Sequence, residues 1–396
     1  MKINPVFLLF ILFVLCVQCE KHSQLSKKQK AQDFEYLYQT LEDNYPFFDA
    51  AKRNFNVDWL SNKEEYLERI KATSNDSAYF MTLISIVDEL RCPHLSIVPT
   101  LSHELYLETY ERATIEKPKY AKWVEVLEQS KKQSPRWQNF LRNTTEYTED
   151  GSRTTFYSDS LLFDDKIAMM RIQSFHYDNL ANDSLLITSF LKKIQDYNYL
   201  IFEIQNNDGG SSNYWKKYIV GKISDTEIIF PRNQIAKDGS LNRHFYPDFF
   251  EDGDIATKQN TFSKNSPDEL FNGSFYLKSY TDTIMPNNPI PFKGKIFVLV
   301  NNLVVSASDD FTYFCKASQW ATVAGIRTMG EGASSAEPTL FRLPNSGIIF
   351  NHPSVSGLNE DGSLNFETRT FPDIEINANN SDERLEKLIQ YIKDNE

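Results

Sequence analysis

Two apolar runs in the second half of the chain, each followed by small polar residues, constrain the fold most strongly. Residues 199–204 read Tyr-Leu-Ile-Phe-Glu-Ile and lead into a turn that contains Gly209 and Gly210. Residues 296–300 read Ile-Phe-Val-Leu-Val and lead towards Ser306. Short apolar runs bounded by turn residues are typical of strands buried in a parallel sheet. If the two strands are neighbours, the glycines and the serine face the same cleft.

The order of these runs predicts an α/β core over residues 161–390. Residues 167–172 predict a further strand, and residues 183–194 predict an amphipathic helix between two strands. Strands that alternate with helices along the chain are typical of an α/β fold. The aromatic and acidic stretch at residues 244–252 fits two interpretations, a surface loop with packed rings or the wall of a substrate groove.

Residues 32–100 show helical periodicity and predict an N-terminal helical module. Helices are expected from about residue 32, over residues 58–72 and over residues 77–90. Pro93 ends the last helix and a short strand follows, so His94 is predicted at a helix-to-strand corner where its side chain can face a cleft. Residues 101–160 are charged and aromatic and predict an irregular or helical insertion without a chemical motif.

The N-terminus predicts export from the cell. Lys2 precedes an apolar run at residues 6–17, which is too short to span a bilayer comfortably and is typical of a signal peptide. Cys19 at the end of that run predicts a bacterial lipoprotein with signal residues 1–19, a lipid on Cys19 and a tether at residues 20–31. The chain would then lie in the cell envelope and contact the membrane only through the lipid. Gln18 fits the cleavage site poorly, so secretion without a lipid is the alternative.

Charge and composition exclude several kinds of partner. The chain has 54 Asp and Glu against 42 Lys and Arg, a formal net charge of −12, whereas nucleic-acid binding needs a basic face. The six histidines lack the spacing of a motif such as His-Glu-x-x-His, and we predict neither a metal nor another cofactor. Cys92 and Cys315 are too few for a disulfide framework and are expected as buried thiols.

Two turns are candidates for chemistry. The pair Gly209-Gly210 can adopt positive φ angles and present N–H groups to an anion or an oxyanion, although a plain glycine-rich turn is the alternative. Ser306 either displays a reactive hydroxyl or caps the helix that follows it. The residues alone leave both alternatives open.

The order of these segments resembles the tail-specific (C-terminal-processing) serine peptidases and the related tricorn-core peptidases. The matching segments are a histidine after the helical module, the strand ending in Asp-Gly-Gly, Val-Leu-Val-Asn with Ser-Ala-Ser-Asp, Gly-Ile-Arg-Thr-Met-Gly-Glu-Gly, and Phe-Pro-Asp-Ile. They cover most of residues 32–380. The resemblance implies a crotonase- or ClpP-like α/β core with an N-terminal helical module. The PDZ domain of many members is not evident in residues 101–160, and the oligomeric state is not predicted.

The resemblance assigns roles to particular residues. It implies that Ser306 is the nucleophile, and that the amide of Ala307 and an amide of Gly209-Gly210 form an oxyanion hole. Ser308 then caps the following helix, with Asp309 and Asp310 in its first turn.

One departure from the family pattern changes the expected base. Most tail-specific peptidases carry a lysine where this chain has Glu331, so the Ser–Lys dyad is absent. His94 is the expected general base instead, because an imidazole titrates near neutral pH. A carboxylate must then orient the ring. Glu367 is expected in that role, with Glu331 as the alternative and Asp88 as a more distant one.

The sequence therefore predicts a serine peptidase that acts on peptides or proteins by acyl transfer at Ser306. The first alternative is a catalytically inactive relative that binds peptides or chain termini on the cell envelope. The second is an esterase or a surface interaction protein. The cleavage specificity is not predicted.

Overall fold

The computed structural model describes residues 24–98, 100–131, 136–137, 156–162, 166–176, 179–259, 265–334 and 336–395. The predicted signal peptide, Cys19 and residues 138–155 of the predicted insertion lie outside these ranges. Across the described ranges, no helix combines the length and the apolar character needed to cross a membrane.

The helices of the N-terminal module each bury an apolar face. The first begins after Ser26, whose side chain and that of Gln29 cap each other's backbone amides in a capping box. It buries an apolar face that contains Phe34, Leu37 and Leu41. The described α-helices are α1 (Lys27–Asn44), α2 (Phe48–Phe55), α3 (Lys63–Lys71), α4 (Asp76–Asp88), α5 (Thr100–Glu116), α6 (Ala121–Ser130), α7 (Leu180–Lys193), α8 (Ser212–Trp215), α9 (Gly221–Ile223), α10 (Ser240–Phe245), α11 (Pro247–Asp252), α12 (Ala307–Ser318), α13 (Asn365–Thr368) and α14 (Ser381–Asn395).

The strands form three sheets. The described strands are β1 (Ser96–Ile97), β2 (Tyr157–Leu162), β3 (Ile167–Ile172), β4 (Tyr199–Glu203), β5 (Ile228–Lys237), β6 (Asp254–Ile255), β7 (Phe275–Ile284), β8 (Lys295–Val300), β9 (Thr322–Gly325), β10 (Thr339–Arg342), β11 (Ile349–His352), β12 (Ser356–Leu358) and β13 (Ile374–Glu375). The central sheet has the order β13-β9-β8-β4-β3-β2, and the others have the orders β12-β5-β7-β6 and β1-β11-β10.

The central sheet brings the two turns of interest together. Strands β3, β4, β8 and β9 run parallel, and Glu203 of β4 is in register with Leu299 of β8. Their carboxyl ends therefore lie side by side, which is where open α/β sheets bind ligands. Beyond the strands, Phe175 bridges to Gly210 and Val305 bridges to Gly330. The first bridge joins the loop after β3 to the loop after β4, and the second joins the loop after β8 to the loop after β9.

The N-terminal module packs firmly on the core. Strand β1 pairs with β11 in an antiparallel register of Ser96 with Asn351. The Phe47 ring stacks on the Phe366 ring with 4.2 Å between their centroids. Module residues and core residues share one hydrophobic cluster, in which Phe34 and Phe350 are both fully buried. The corner that precedes β1 is consequently held at a fixed place against the core.

The predicted fold class is confirmed. The structure is a mixed α/β fold with an N-terminal helical region, and the predicted strand at residues 167–172 matches β3. Within residues 101–160, the described part contains α5 and α6, which pack on the core through the buried Trp123. The stretch at residues 244–252 forms parts of two short helices, α10 and α11, and Cys92 and Cys315 are buried free thiols.

Candidate active site

Ser306 lies in a strained backbone conformation between β8 and α12. Its φ is 59° and its ψ is −125°, a region that residues other than glycine adopt at a cost of roughly 1–3 kcal/mol. Two hydrogen bonds hold it there, from its N–H to the Gly330 carbonyl (3.3 Å) and from the Asp310 N–H to its own carbonyl (2.8 Å). Ser306 occupies the N-cap position of α12, but its side chain makes no capping bond. Among the described residues, the hydroxyl has no hydrogen-bond partner.

Ser308 has a structural role in the same turn. It is fully buried, and its hydroxyl lies 2.7 Å from the carbonyl oxygens of both Asn207 and Val305. The same oxygen accepts a hydrogen bond from the Val305 N–H (3.0 Å). Ser308 lies inside the first turn of α12 and not at the expected capping position. It joins the loop after β4 to the loop after β8.

The two glycines after β4 pack directly against the serine turn. Gly209 and Gly210 have φ angles of 95° and 125°. A Cβ atom on Gly209 would lie 2.9 Å from the Ser306 Cβ and 3.0 Å from the Ala307 nitrogen, so only glycine fits. The Gly209 N–H already donates to the Asn207 Oδ1 (2.9 Å). The N–H groups of Gly210 and Ala307 donate to no residue that the structure describes, which leaves these two amides available to an oxyanion.

His94 forms a close pair with Glu331. The His94 Nδ1 lies 3.1 Å from the Glu331 Oε2, although 237 positions separate the residues in sequence. The carboxylate side chain is 4% exposed and the imidazole is 18% exposed. The His94 Nε2 bonds to no residue in the described ranges. Because a carboxylate accepts hydrogen bonds, the Nδ1 atom carries a proton, and in the neutral ring the Nε2 atom then has a free lone pair.

The pKa of His94 results from two opposing effects. Burial by itself lowers the pKa, because it disfavours the charged ring. The hydrogen bond to Glu331 and the negative charges of Glu331, Glu337 and Asp309 raise it and prevail. The pKa of His94 therefore lies above its usual value of 6.5.

Glu331 is held by its backbone in a glycine-flanked turn. Its φ is 69°, and it lies between Gly330 and Gly332. The Glu331 N–H donates to the Asn365 Oδ1 (2.7 Å), and the Gly332 N–H donates to the Asp309 Oδ2 (3.0 Å). The turn thus fixes the direction in which the carboxylate points.

The neighbours of Glu331 were not predicted as site residues. Asn365 and Asp309 anchor its turn, and the Cys92 thiol lies 3.4 Å from its Oε1. Asp309 could have been suspected from its place in Ser-Ala-Ser-Asp. No local signal distinguishes Cys92 or Asn365, because both act on a residue that is distant in sequence.

Glu367 is engaged elsewhere. Its two oxygens lie 2.7 Å from the Nε and Nη2 of Arg53, and the same guanidinium also contacts Glu269 at 2.6 Å. The carboxylate beside His94 is that of Glu331, the alternative from the sequence, and not that of Glu367, the preferred one. Asp88, the third option, lies exposed at the end of α4. The sequence could not separate the two carboxylates, because the contact with His94 spans 237 positions of the chain.

The serine turn opens on a cleft of about 330 Å³. Its lining includes Ser306, Ala307, Gly210 and Glu331. A free hydroxyl, two free amides and the carboxylate that holds a histidine are therefore grouped at one site. This set of groups is suited to nucleophilic attack on a carbonyl carbon.

Comparison with known proteins supports the family resemblance seen in the sequence. The model of peptidase family S41 matches residues 166–376, which is more than half of the chain. The curated proteins gave no match. A candidate peptidase from Parabacteroides merdae ATCC 43184 is similar in structure, with 20% identity and a TM-score of 0.56 over 94% of this chain and 97% of that one. Mature CPAF complexed with lactacystin is also similar, with 12% identity and a TM-score of 0.57 over 93% and 97%.

At these identities the two solved structures establish the fold, and the family match carries the assignment. The matched range contains the glycine turn, Ser306 and Glu331, whereas His94 lies before it in the N-terminal module. The resemblance seen in the sequence is confirmed. The chain is a member of peptidase family S41, the tail-specific or C-terminal-processing proteases.

Proposed function

We propose that this protein is a serine peptidase that cleaves peptides or proteins with Ser306 as nucleophile, His94 as general base and Glu331 as the carboxylate that orients the histidine. The observation that carries the proposal is the 3.1 Å pair between the His94 Nδ1 and the Glu331 Oε2. The pair leaves the Nε2 lone pair free, and Glu331 lines the cleft into which Ser306 displays its hydroxyl.

The reaction follows from these groups. The Ser306 Oγ attacks the peptide carbonyl carbon while the His94 Nε2 takes the hydroxyl proton, and Glu331 stabilises the imidazolium. The N–H groups of Gly210 and Ala307 donate to the developing oxyanion, and one such donor is typically worth roughly 10²–10³ in rate. The Nε2 proton then passes to the leaving amine. Water hydrolyses the acyl-enzyme with the same base.

The missing lysine does not by itself argue for an inactive protein. In the family pattern the lysine would be the base, whereas here the same position holds a carboxylate in contact with an imidazole. An inactive peptide-binding relative would not need a strained serine with a free hydroxyl. We therefore favour activity over peptide binding alone.

A covalent label tests the proposal. We expect a fluorophosphonate probe to label the full-length protein and the Ser158→Ala variant, whose exposed serine lies on β2. Ser306→Ala should abolish the label and lower peptidase activity by at least roughly 10³-fold, because the acyl-enzyme cannot form. Equal labelling of the wild type and Ser306→Ala would contradict the proposal, and peptide binding without labelling would favour the inactive alternative.

We further propose that the protein is anchored in the cell envelope through a lipid on Cys19. The support is the apolar run at residues 6–17 followed by that cysteine. Labelled palmitate should enter the wild type but not Cys19→Ser. Incorporation into both proteins, or into neither, would contradict the anchor.

A further inference from the structure

One wall of the cleft is basic, although the whole chain carries a net charge of −12. Lys117 and Lys119 line the cleft that contains Ser306, and both side chains are exposed. They lie in the short connection between α5 and α6, which packs against the core. The segment predicted to be an insertion without chemistry therefore contributes to the candidate active site.

The Lys119 ammonium is held in place by aromatic rings. Its Nζ lies 5.4 Å from the centroid of the Tyr120 ring and 5.6 Å from that of the Tyr246 ring. Both tyrosines also line the cleft. Cation–π contacts of this length fix a cation without neutralising it. Neither Lys117 nor Lys119 forms an ion pair with any residue that the structure describes.

The surroundings of Lys119 disfavour its charge. Although the side chain is exposed, the protein around it removes part of its hydration, which is the largest effect and lowers its pKa, and the positive charges of Lys117 and Lys122 lower it further. Glu337 and Asp248 act in the opposite direction without restoring the usual value. A carboxylate that arrived beside this ammonium would therefore compensate for lost hydration and for repulsion between lysines.

The other charged groups of the cleft are already paired. Lys216 contacts Asp282 at 2.8 Å, and Asp310 contacts the buried Arg232 at 2.7 Å. Glu331 holds His94. The groups in the cleft without a close ion pair among the described residues are therefore the two lysines and Glu337.

Glu337 opposes the lysines only in part. The Glu337 side chain reaches the surface, but loss of hydration raises its pKa and outweighs His94, Lys119 and Lys117, which lower it. Two lysines against one glutamate leave the wall with an excess of positive charge. The remaining lining includes hydroxyl and amide side chains that can hydrogen-bond, among them Ser212, Asn213 and Gln234.

We propose that Lys117 and Lys119 form a subsite for acidic side chains of the peptide substrate. The proposal rests on the peptidase function proposed above and names its substrate class, peptides with Asp or Glu near the scissile bond. Two lysines at separate positions can each bind one carboxylate, which suits acidic side chains. A free C-terminus would supply only a single carboxylate. At physiological ionic strength, salt screens charges that lie more than about 8 Å apart. The two lysines therefore attract a carboxylate close to them, although the molecule as a whole is negatively charged.

Paired peptides test the subsite in the full-length protein. We compare substrates that carry Asp or Glu near the cleaved bond with the same peptides carrying Asn or Gln, each with a free and an amidated C-terminus. The acidic peptides should show a kcat/KM roughly tenfold higher, mainly through a lower KM, and the advantage should shrink as salt is added. Amidation should change little.

Variants of the two lysines identify the source of the preference. Lys117→Gln and Lys119→Gln should each reduce the preference for acidic peptides by roughly threefold to tenfold, and Lys119→Arg should retain it. Lys119→Glu should shift the preference towards peptides that carry Lys. The matched control is Lys192→Gln, an exposed lysine on α7 that is not part of the cleft lining.

Binding to Ser306→Ala separates this proposal from the peptidase function. If the wild type cleaves no peptide but the variant still binds acidic peptides more tightly, the subsite stands and the proposed reaction fails. Equal turnover and equal binding of acidic and amide peptides would overturn the subsite. A strong dependence on the free C-terminus alone would also overturn it.

Discussion

At the scale of single residues, Glu331 stands where the family pattern has a lysine, and this changes the chemistry available at that position. Its carboxylate accepts a hydrogen bond from the His94 imidazole at 3.1 Å. It therefore cannot act as the lysine would, but it can hold the ring with the Nε2 atom free. The proposed base and the residue proposed to orient it come from distant parts of the chain.

Replacing Glu331 by Gln should lower both activity and the pKa of His94. The wild-type carboxylate raises that pKa, so activity should be lost as the pH falls through a value above 6.5. Glu331→Gln removes the negative charge, so the acidic limb of the kcat/KM profile should move to lower pH. The rate at its plateau should fall by roughly 10²–10⁴-fold because the ring is no longer held correctly.

The pH profile of kcat/KM and the NMR titration of His94 measure this effect. Glu367→Gln is the matched control, since its carboxylate contacts Arg53. It should leave the acidic limb unchanged. An acidic limb that moves in Glu367→Gln but not in Glu331→Gln would restore Glu367 as the orienting carboxylate.

At the scale of elements, the start of α12 organises the loop that carries Glu331. Asp309 is fully buried, accepts from the Thr328 hydroxyl (2.6 Å) and from the Gly332 N–H (3.0 Å), and so joins helix and loop. Burial is the main cause that raises its pKa to about 6. The folded protein therefore binds a proton at Asp309 more tightly than an unfolded chain would.

Asp309 should make the protein less stable as the pH rises from about 4 to 6. Over that interval Asp309 ionises in the unfolded chain but stays largely protonated in the folded protein. The free energy of unfolding therefore decreases by on the order of 2–3 kcal/mol. Asp309→Asn keeps the shape and removes the titration. Urea unfolding at pH 4 and pH 7 should show a smaller loss of stability for the variant, and an identical loss in both proteins would contradict the raised pKa.

At the scale of the whole molecule, the candidate site joins two parts of the chain. His94 comes from the N-terminal module, whereas Ser306 and Glu331 come from the α/β core. The stacked rings of Phe47 and Phe366 and the ion pairs of Arg53 connect the two parts. Glu367 thus contributes a contact between the module and the core.

Arg53→Ala should loosen this docking and reduce activity without moving the pH profile. It leaves Glu269 and Glu367 without their shared cation, at a cost of roughly 1 kcal/mol or less for partly exposed pairs. We expect kcat/KM to fall by roughly threefold to tenfold and amide hydrogen exchange at residues 92–98 to accelerate. Lys52→Ala on the same helix is the control, because Lys52 pairs with Asp58 inside the module. Unchanged exchange in Arg53→Ala would contradict the role of this contact.

The sequence by itself determined the fold class and the loops that carry the site. Apolar runs and turn residues act over a few positions, so strand β3 was predicted with its correct bounds and β4 and β8 to within one residue. The glycine turn and the serine turn were found in the same way. The antiparallel strands β5 and β7 were not predicted.

Only the tertiary structure decided which side chains meet. Glu331 and Glu367 are both carboxylates near the end of the chain, and no local pattern separates a partner of His94 from a partner of Arg53. The choice depends on contacts that span 237 and 314 positions in sequence. Likewise, the positive φ of Ser306 and the free amides of Gly210 and Ala307 arise where loops from different strands pack against each other, because the sheet and the docked module bring distant segments to one edge.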